Sequence, residues 1–130
     1  MTPRRDLAGL LRDHGIQPSA HRVAVASYVL STDDHPSAEK VLEHARAALG
    51  LVSRATIYNT LNLLVRRGLL REVIVGEGRV VFDPNVAPHH HLIDRETGRV
   101  HDVPWDAVKI EAPAGFDVAD VQALLYGKAH

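Results

Sequence analysis

His89, His90 and His91 form an unbroken run inside PHHHLIDRETGRVHDVP, residues 88–104, of a chain that has no cysteine. Any transition metal here must therefore be held by imidazole nitrogen and carboxylate oxygen. His89 and His91 are two positions apart, and on an extended strand such residues project from one face. Both rings can then converge on a single ion while His90 points away. Asp102, in the next strand-like stretch, can add a hard oxygen. Asp83 closes the segment RVVFD, and His35 precedes Pro36 just ahead of a helical pattern. Together His35, Asp83, His89, His91 and Asp102 offer three nitrogens and two carboxylates, a set suited to one Fe2+, Mn2+ or Zn2+ ion. Each residue also has an ordinary reading. Asp83 before Pro84 fits a turn former, Asp102 a solvated strand end and His35 the residue leading a helix, and an HxH pair is more often exposed or core-paired than ligating. Adjacent His101 falls on the other face from Asp102, and a second, weaker site at His90 or His101 stays open.

The elements that must position these groups divide at about residue 82. Asp6 to His14, Ser19 to Leu30, Ser37 to Leu49 and the stretch from Ser53 to Gly68 carry helical periodicity. Serines stand where N-caps belong, and Gly15, Gly50 and Gly68 stand as stops. Val23, Ala26 and Leu30 are spaced for a buried stripe on the second helix. The period then shifts to two: LLREVIV and RVVFD flank GEG as a hairpin. Helices followed by a two-stranded hairpin describe a winged helix-turn-helix over 1–82. Residues 83–130 hold HHHLID and RVHDV around an ETG turn, a PAG turn, and DVQALLYG, favoured as a strand. So small a half cannot cover its own sheet, which predicts pairing with a second copy as a homodimer. The fold class is α+β: a winged-helix domain with a small C-terminal α/β dimerisation domain.

Within SRATIYNTLNLLVRRG, Ile57, Leu61, Leu64 and Val65 share one helix face, and Arg54, Tyr58, Asn62 and Arg66 recur along another. By itself the pattern fits a solvated amphipathic helix. With the hairpin behind it, the polar face is one that can enter a DNA major groove, Tyr58 meeting thymine methyls and Arg54 reaching guanine or phosphate. Arg79 at the wing tip fits a backbone or minor-groove contact, or a solvent-exposed arginine.

Bulk properties agree with a soluble protein. Hydrophobic residues make up 45% and charged residues 24%, with no apolar run near the roughly 18 residues a membrane helix needs. Residues 1–80 carry eleven Lys/Arg against eight Asp/Glu, and 81–130 carry four against eight, so the basic excess lies in the winged-helix part. MTPRRDLAGLLRDHG does not read as a signal peptide, and a thiol-free chain fits a cytoplasmic location. GxxxxGK[ST] is absent, which excludes that nucleotide loop.

Nearly the whole chain resembles the ferric uptake regulator superfamily. The carrying segments are HPSAEKV at 35–41, SRATIYNTLNLLVRRGLL at 53–70 and VFDPNVAPHHHLIDRETGRVHDV at 81–103. The resemblance implies a metal-dependent repressor, not an enzyme. It would bind a palindromic, AT-rich operator and hold one divalent ion per subunit through His35, Asp83, His89, His91 and Asp102. Aspartate at 83 and 102 is similar to the peroxide-sensing branch, in which iron-catalysed oxidation of a ligand histidine would be the signal. Most members place a CxxC shortly after HxH to hold a structural zinc. Here Asp94 and Thr97 stand in its place, so no such zinc is expected. Two rival readings are a haem-responsive iron regulator of the same fold, suggested by the HHH run, and a small non-haem metal enzyme. The second leaves the winged-helix half unexplained. A helix usual in the dimerisation half has little room in DVPWDAVKIEAPAGF.

Overall fold

Among the described residues, serine opens three of the four α-helices. In the computed structural model of the protein, which describes residues 4–130, Ser19 Oγ accepts the Arg22 amide at 3.2 Å. Ser37 Oγ accepts that of Lys40 at 3.2 Å, and Ser53 Oγ that of Thr56 at 3.1 Å. Each cap satisfies an amide the helix cannot and contributes about 1 kcal/mol. They begin α2 (Ala20–Val29), α3 (Ala38–Leu49) and α4 (Arg54–Arg66), and α1 (Arg4–Asp13) precedes them. Gly68, at φ 79°, ends α4. Its amide reaches Val65 O at 3.1 Å and the next amide reaches Leu64 O at 3.0 Å, a left-handed closure that a Cβ would strain.

The chain divides into two compact units between Val86 and Ala87. In the first, Leu7 and Leu11 of α1, Val25, Ala26 and Val29 of α2, Val41 and Leu42 of α3, and Ile57, Leu61 and Leu64 of α4 share one core. The α2 stripe differs from the spacing expected: Val23 and Leu30 are only partly buried at its flanks, while Val25 and Val29 are the buried positions. Helix packing from three sides selects a different set from a single amphipathic stripe. Each fully buried aliphatic side chain contributes roughly 1.5–3 kcal/mol, so this unit has an apolar core of ordinary strength.

After α4 come β1 (Arg71–Val75) and β2 (Arg79–Asp83), antiparallel from Arg71 opposite Asp83 to Val75 opposite Arg79. Gly76–Gly78 makes a single 3-10 turn at the tip. Val73 and Val75 point inward, Glu72 and Ile74 outward. The winged helix-turn-helix expected from the sequence is present.

The second unit is a three-stranded sheet. Its centre is β3 (His90–Asp94), flanked by antiparallel β4 (Val100–Val103) and parallel β5 (Leu124–Gly127). DVQALLYG thus supplies a strand, with a partner direction that periodicity could not indicate. Among the described residues of this unit there is no α-helix. Trp105–Ala107 forms one 3-10 turn, and the stretch from Val108 to Ala123 has no regular element. The core here is unusual in chemistry. His90 and His91 are wholly buried and His89 nearly so, beside only Ile93 and Val100 as buried hydrocarbon.

Candidate metal centre and nucleic-acid interface

Ligand-type side chains gather in each unit. In the winged-helix unit the Phe82 amide donates to Pro36 O at 2.9 Å, tying the end of β2 to the loop that leads α3. The residues on either side of that bond, His35 and Asp83, are thereby brought together, Nε2 to Oδ2 at 3.3 Å, with both side chains buried. Asp83 Oδ1 accepts the Asn85 amide at 2.9 Å, so the turn-forming role read from Asp83-Pro84 and the pairing with His35 coexist. His35 holds φ at 52°, a left-handed conformation uncommon for a residue with a side chain. Such a backbone costs on the order of 1–3 kcal/mol and persists where surrounding structure imposes it, often at functional sites.

In the second unit, His89 and His91 bring their Nε2 atoms within 3.0 Å of each other. His89 lies one residue before β3 rather than on it, yet its ring meets that of His91 edge-on. Asp102, directly opposite His91 in the β3–β4 register, places Oδ1 3.2 Å from His89 Nε2 and 3.6 Å from His91 Nε2. The two imidazoles are buried and Asp102 is partly open. His90 points elsewhere, as pleat alternation predicts, and His101 sits opposite Leu92 rather than with the cluster.

These donors fit a divalent ion. His89 Nδ1 lies 2.7 Å from Ala87 O, which fixes the proton on Nδ1 and leaves the Nε2 lone pair directed at His91 and Asp102. A ligating histidine is commonly oriented this way, its second nitrogen donating to a carbonyl. The Gln122 side-chain amide stands 3.5 Å from His91 Nδ1. Turned with its oxygen toward the ring, it would orient His91 likewise. Ala87 and Gln122 were not legible in the sequence: one acts through its backbone, and the other is distant in the chain.

Along α4, Ile57, Thr60, Leu61 and Leu64 face inward, while Arg54, Tyr58, Asn62 and Arg66 are exposed. Tyr58, Asn62 and Arg79 line one cleft of about 430 Å³ between α4, the start of α3 and the wing. Arg54 is paired with Glu39, whose side chain lines the same cleft. Arg66, in the last turn, does not border it. Glu39 was also missed by sequence reasoning, because a carboxylate in the first turn of a helix is ordinary there.

Residues 13–122 match the ferric uptake regulator family. The chain belongs to that family. The peroxide-responsive repressor PerR of Staphylococcus aureus (strain Mu50) is 30% identical over 122 residues, covering 90% of this chain and 82% of the relative. Among solved structures, a zinc-bound manganese uptake regulator superposes with a TM-score of 0.72 at 23% identity, over 95% of this chain and 98% of that one. The Vibrio cholerae ferric uptake regulator gives 0.70 at 20%, over 94% and 98%. At those identities the structures establish the fold.

Family membership makes this protein a transcriptional regulator and removes the metal-enzyme reading. As a member of this family without cysteine, it has no thiolate zinc to brace its second unit. Asp94 and Thr97, where the CxxC would stand, close the β3–β4 turn by hydrogen bonds instead. Asp94 Oδ1 accepts the Glu96 amide at 2.9 Å and the Thr97 amide at 3.4 Å, and the Gly98 amide reaches Asp94 O at 2.7 Å. These amide bonds, that of Glu96 foremost, hold the Asp94 carboxyl below its ordinary value. The Arg95 amide donates to Gly127 O at 2.8 Å, and Lys128 pairs with Glu96 at 3.3 Å, so β5 is anchored to the same turn.

Proposed function

We propose that this regulator is a metal-dependent repressor in which His35, Asp83, His89, His91 and Asp102 hold one Fe2+ or Mn2+ ion, Zn2+ being a weaker candidate. The observation that carries the reading is the convergence of two imidazole Nε2 atoms and one carboxylate oxygen, within 3.0–3.6 Å, around a histidine whose other nitrogen is tied to a carbonyl. When bound, the ion supplies a divalent charge that several nitrogens and oxygens must share. His35 and Asp83 belong to the winged-helix unit, and the other three to the sheet unit. Sharing one ion would therefore restrict how the two units can be arranged.

In a homodimer that restriction becomes a spacing. The two α4 helices must meet half-sites about one helical turn apart, and a palindromic, AT-rich operator follows from two-fold symmetry and the Tyr58 contact. Arg54, Tyr58 and Asn62 face bases in this reading, with Arg66 and Arg79 on the phosphate backbone. Shifting the population from almost all open to almost all competent needs about 5.5 kcal/mol of differential binding. Peroxide as the signal is supported by the name of the S. aureus relative, by aspartate at 83 and 102, and by the lack of thiols.

The test is DNA binding to a palindromic operator with and without Mn2+, in the parent and in His89→Ala. Mn2+-dependent retention by the parent alone is the expected result. Equal binding in both conditions would refute the reading.

A further inference from the structure

His90 takes no part in the His89–His91–Asp102 cluster, yet it is wholly buried. The Ala123 backbone N–H donates to its Nδ1 at 3.0 Å, so Nδ1 carries no proton and the neutral ring keeps its hydrogen on Nε2. That Nε2 is buried and has no hydrogen-bond partner among the described residues. A donor left in this state is costly and calls for an acceptor. The two ring nitrogens face widely different directions, so the unsatisfied one looks away from Ala123. The ring borders a cleft of about 500 Å³ whose other walls include Trp105, Asp106, Lys109, Ile110 and Val121.

The chemistry of the walls selects the occupant. A cation is the wrong partner: Nε2 would have to lose its proton while Nδ1 goes on accepting, and Lys109 adds a like charge. An acceptor carrying negative charge satisfies both Nε2–H and Lys109. Trp105, stacked on His90 at 4.7 Å between ring centroids and 15° between planes, offers a flat apolar surface that Ile110 and Val121 extend. Asp106 disfavours a second negative charge. The size falls within the range of small-molecule sites, which combine apolar walls with a few placed polar groups.

We propose that this cleft binds a small organic monocarboxylate with a flat apolar body. Its carboxylate would accept from His90 Nε2 and face Lys109, while its body lies against Trp105. Trp105 is 43% exposed in a single 3-10 turn, and seating the carboxylate on the buried Nε2 would require the ligand to open the ring edge locally.

Benzoate is the probe. Trp105 is the only tryptophan in the chain, so its emission reports on this cleft alone. The full-length, Mn2+-loaded protein is titrated by fluorescence and calorimetry without DNA, which keeps the result separate from the repressor reading. Saturable binding of one benzoate per chain is expected. Lys109→Met should weaken it about tenfold, the order expected for losing one charge-assisted contact. His90→Phe, which keeps a ring beneath Trp105, should abolish it. Lys109 is exposed, so its variant decides the matter if His90→Phe fails to fold. No saturable change, binding indifferent to Lys109→Met, or Zn2+ competing directly with benzoate would each overturn the proposal.

Discussion

His35 Nε2 and Asp83 Oδ2 lie 3.3 Å apart at the two ends of the backbone bond that joins Phe82 to Pro36. The pair is built by the winged-helix unit itself, before any contribution from the sheet unit, and it depends on a left-handed His35. That conformation can be tested apart from the imidazole. His35→Gly removes both the ring and the strain, whereas His35→Ala removes only the ring. The glycine variant should be the more stable to urea by about 1–2 kcal/mol, and both should lose Mn2+-dependent DNA binding. Equal stability would show that the backbone there is not strained.

His89 is the most informative ligand to truncate, because it lies outside β3 and its loss leaves the sheet register alone. Outer-shell partners of a bound metal typically change affinity about 10–100-fold. His89→Ala should exceed that range in Mn2+ titration calorimetry, with little change in far-ultraviolet circular dichroism. Unchanged affinity would take His89 out of the site.

Tyr58→Ala should separate DNA reading from metal binding. Tyr58 is 42% exposed on α4 and borders the cleft shared with Asn62 and Arg79. Each mismatched base pair in a specific site typically costs about 1–3 kcal/mol. Competition gel shifts should show operator preference falling by that amount while Mn2+ affinity holds. Preserved preference would assign Tyr58 no reading role.

The Asp94 turn predicts an acid response. Its amide bonds to Glu96 and Thr97 lower the carboxyl below its ordinary 3.8, so the folded state favours the ionised form. The associated stability is fully present above that ordinary value and is lost as pH falls through the lower, folded one. Asp94→Ala should reduce the melting temperature at neutral pH, and Asp94→Asn, which keeps an acceptor oxygen, should restore part of it. The difference between parent and Asp94→Ala should shrink in strong acid. A difference independent of pH would mean the charge is irrelevant to the turn.

A peroxide response can be read directly. After hydrogen peroxide treatment of Fe2+-loaded protein, peptide mass spectrometry should find one added oxygen on His35 or His91. The Mn2+-loaded protein should stay unmodified. Release from DNA with unmodified histidines would point to a different signal.

The caps, stops and hairpin were legible in the chain, whereas the buried stripe of α2 was not. Ser19, Ser37 and Ser53 announce the helices they cap, Gly68 announces the stop, and alternation across GEG announces the wing, because capping and pleating depend on neighbours a few residues away. The i, i+2 spacing of His89 and His91 likewise put both rings on one side of the chain without any knowledge of the sheet. Contacts between distant segments were another matter. Asp102 opposite His91 required the β3–β4 register, and His35 beside Asp83 required β2 to bond to the loop before α3. The parallel seat of β5, which delivers the Ala123 amide to His90 and Gln122 toward His91, has no local signal at all. Which atoms of His90 and His91 remain able to donate or accept is set by partners more than thirty residues away in the chain, and only the folded sheet brings those partners into reach.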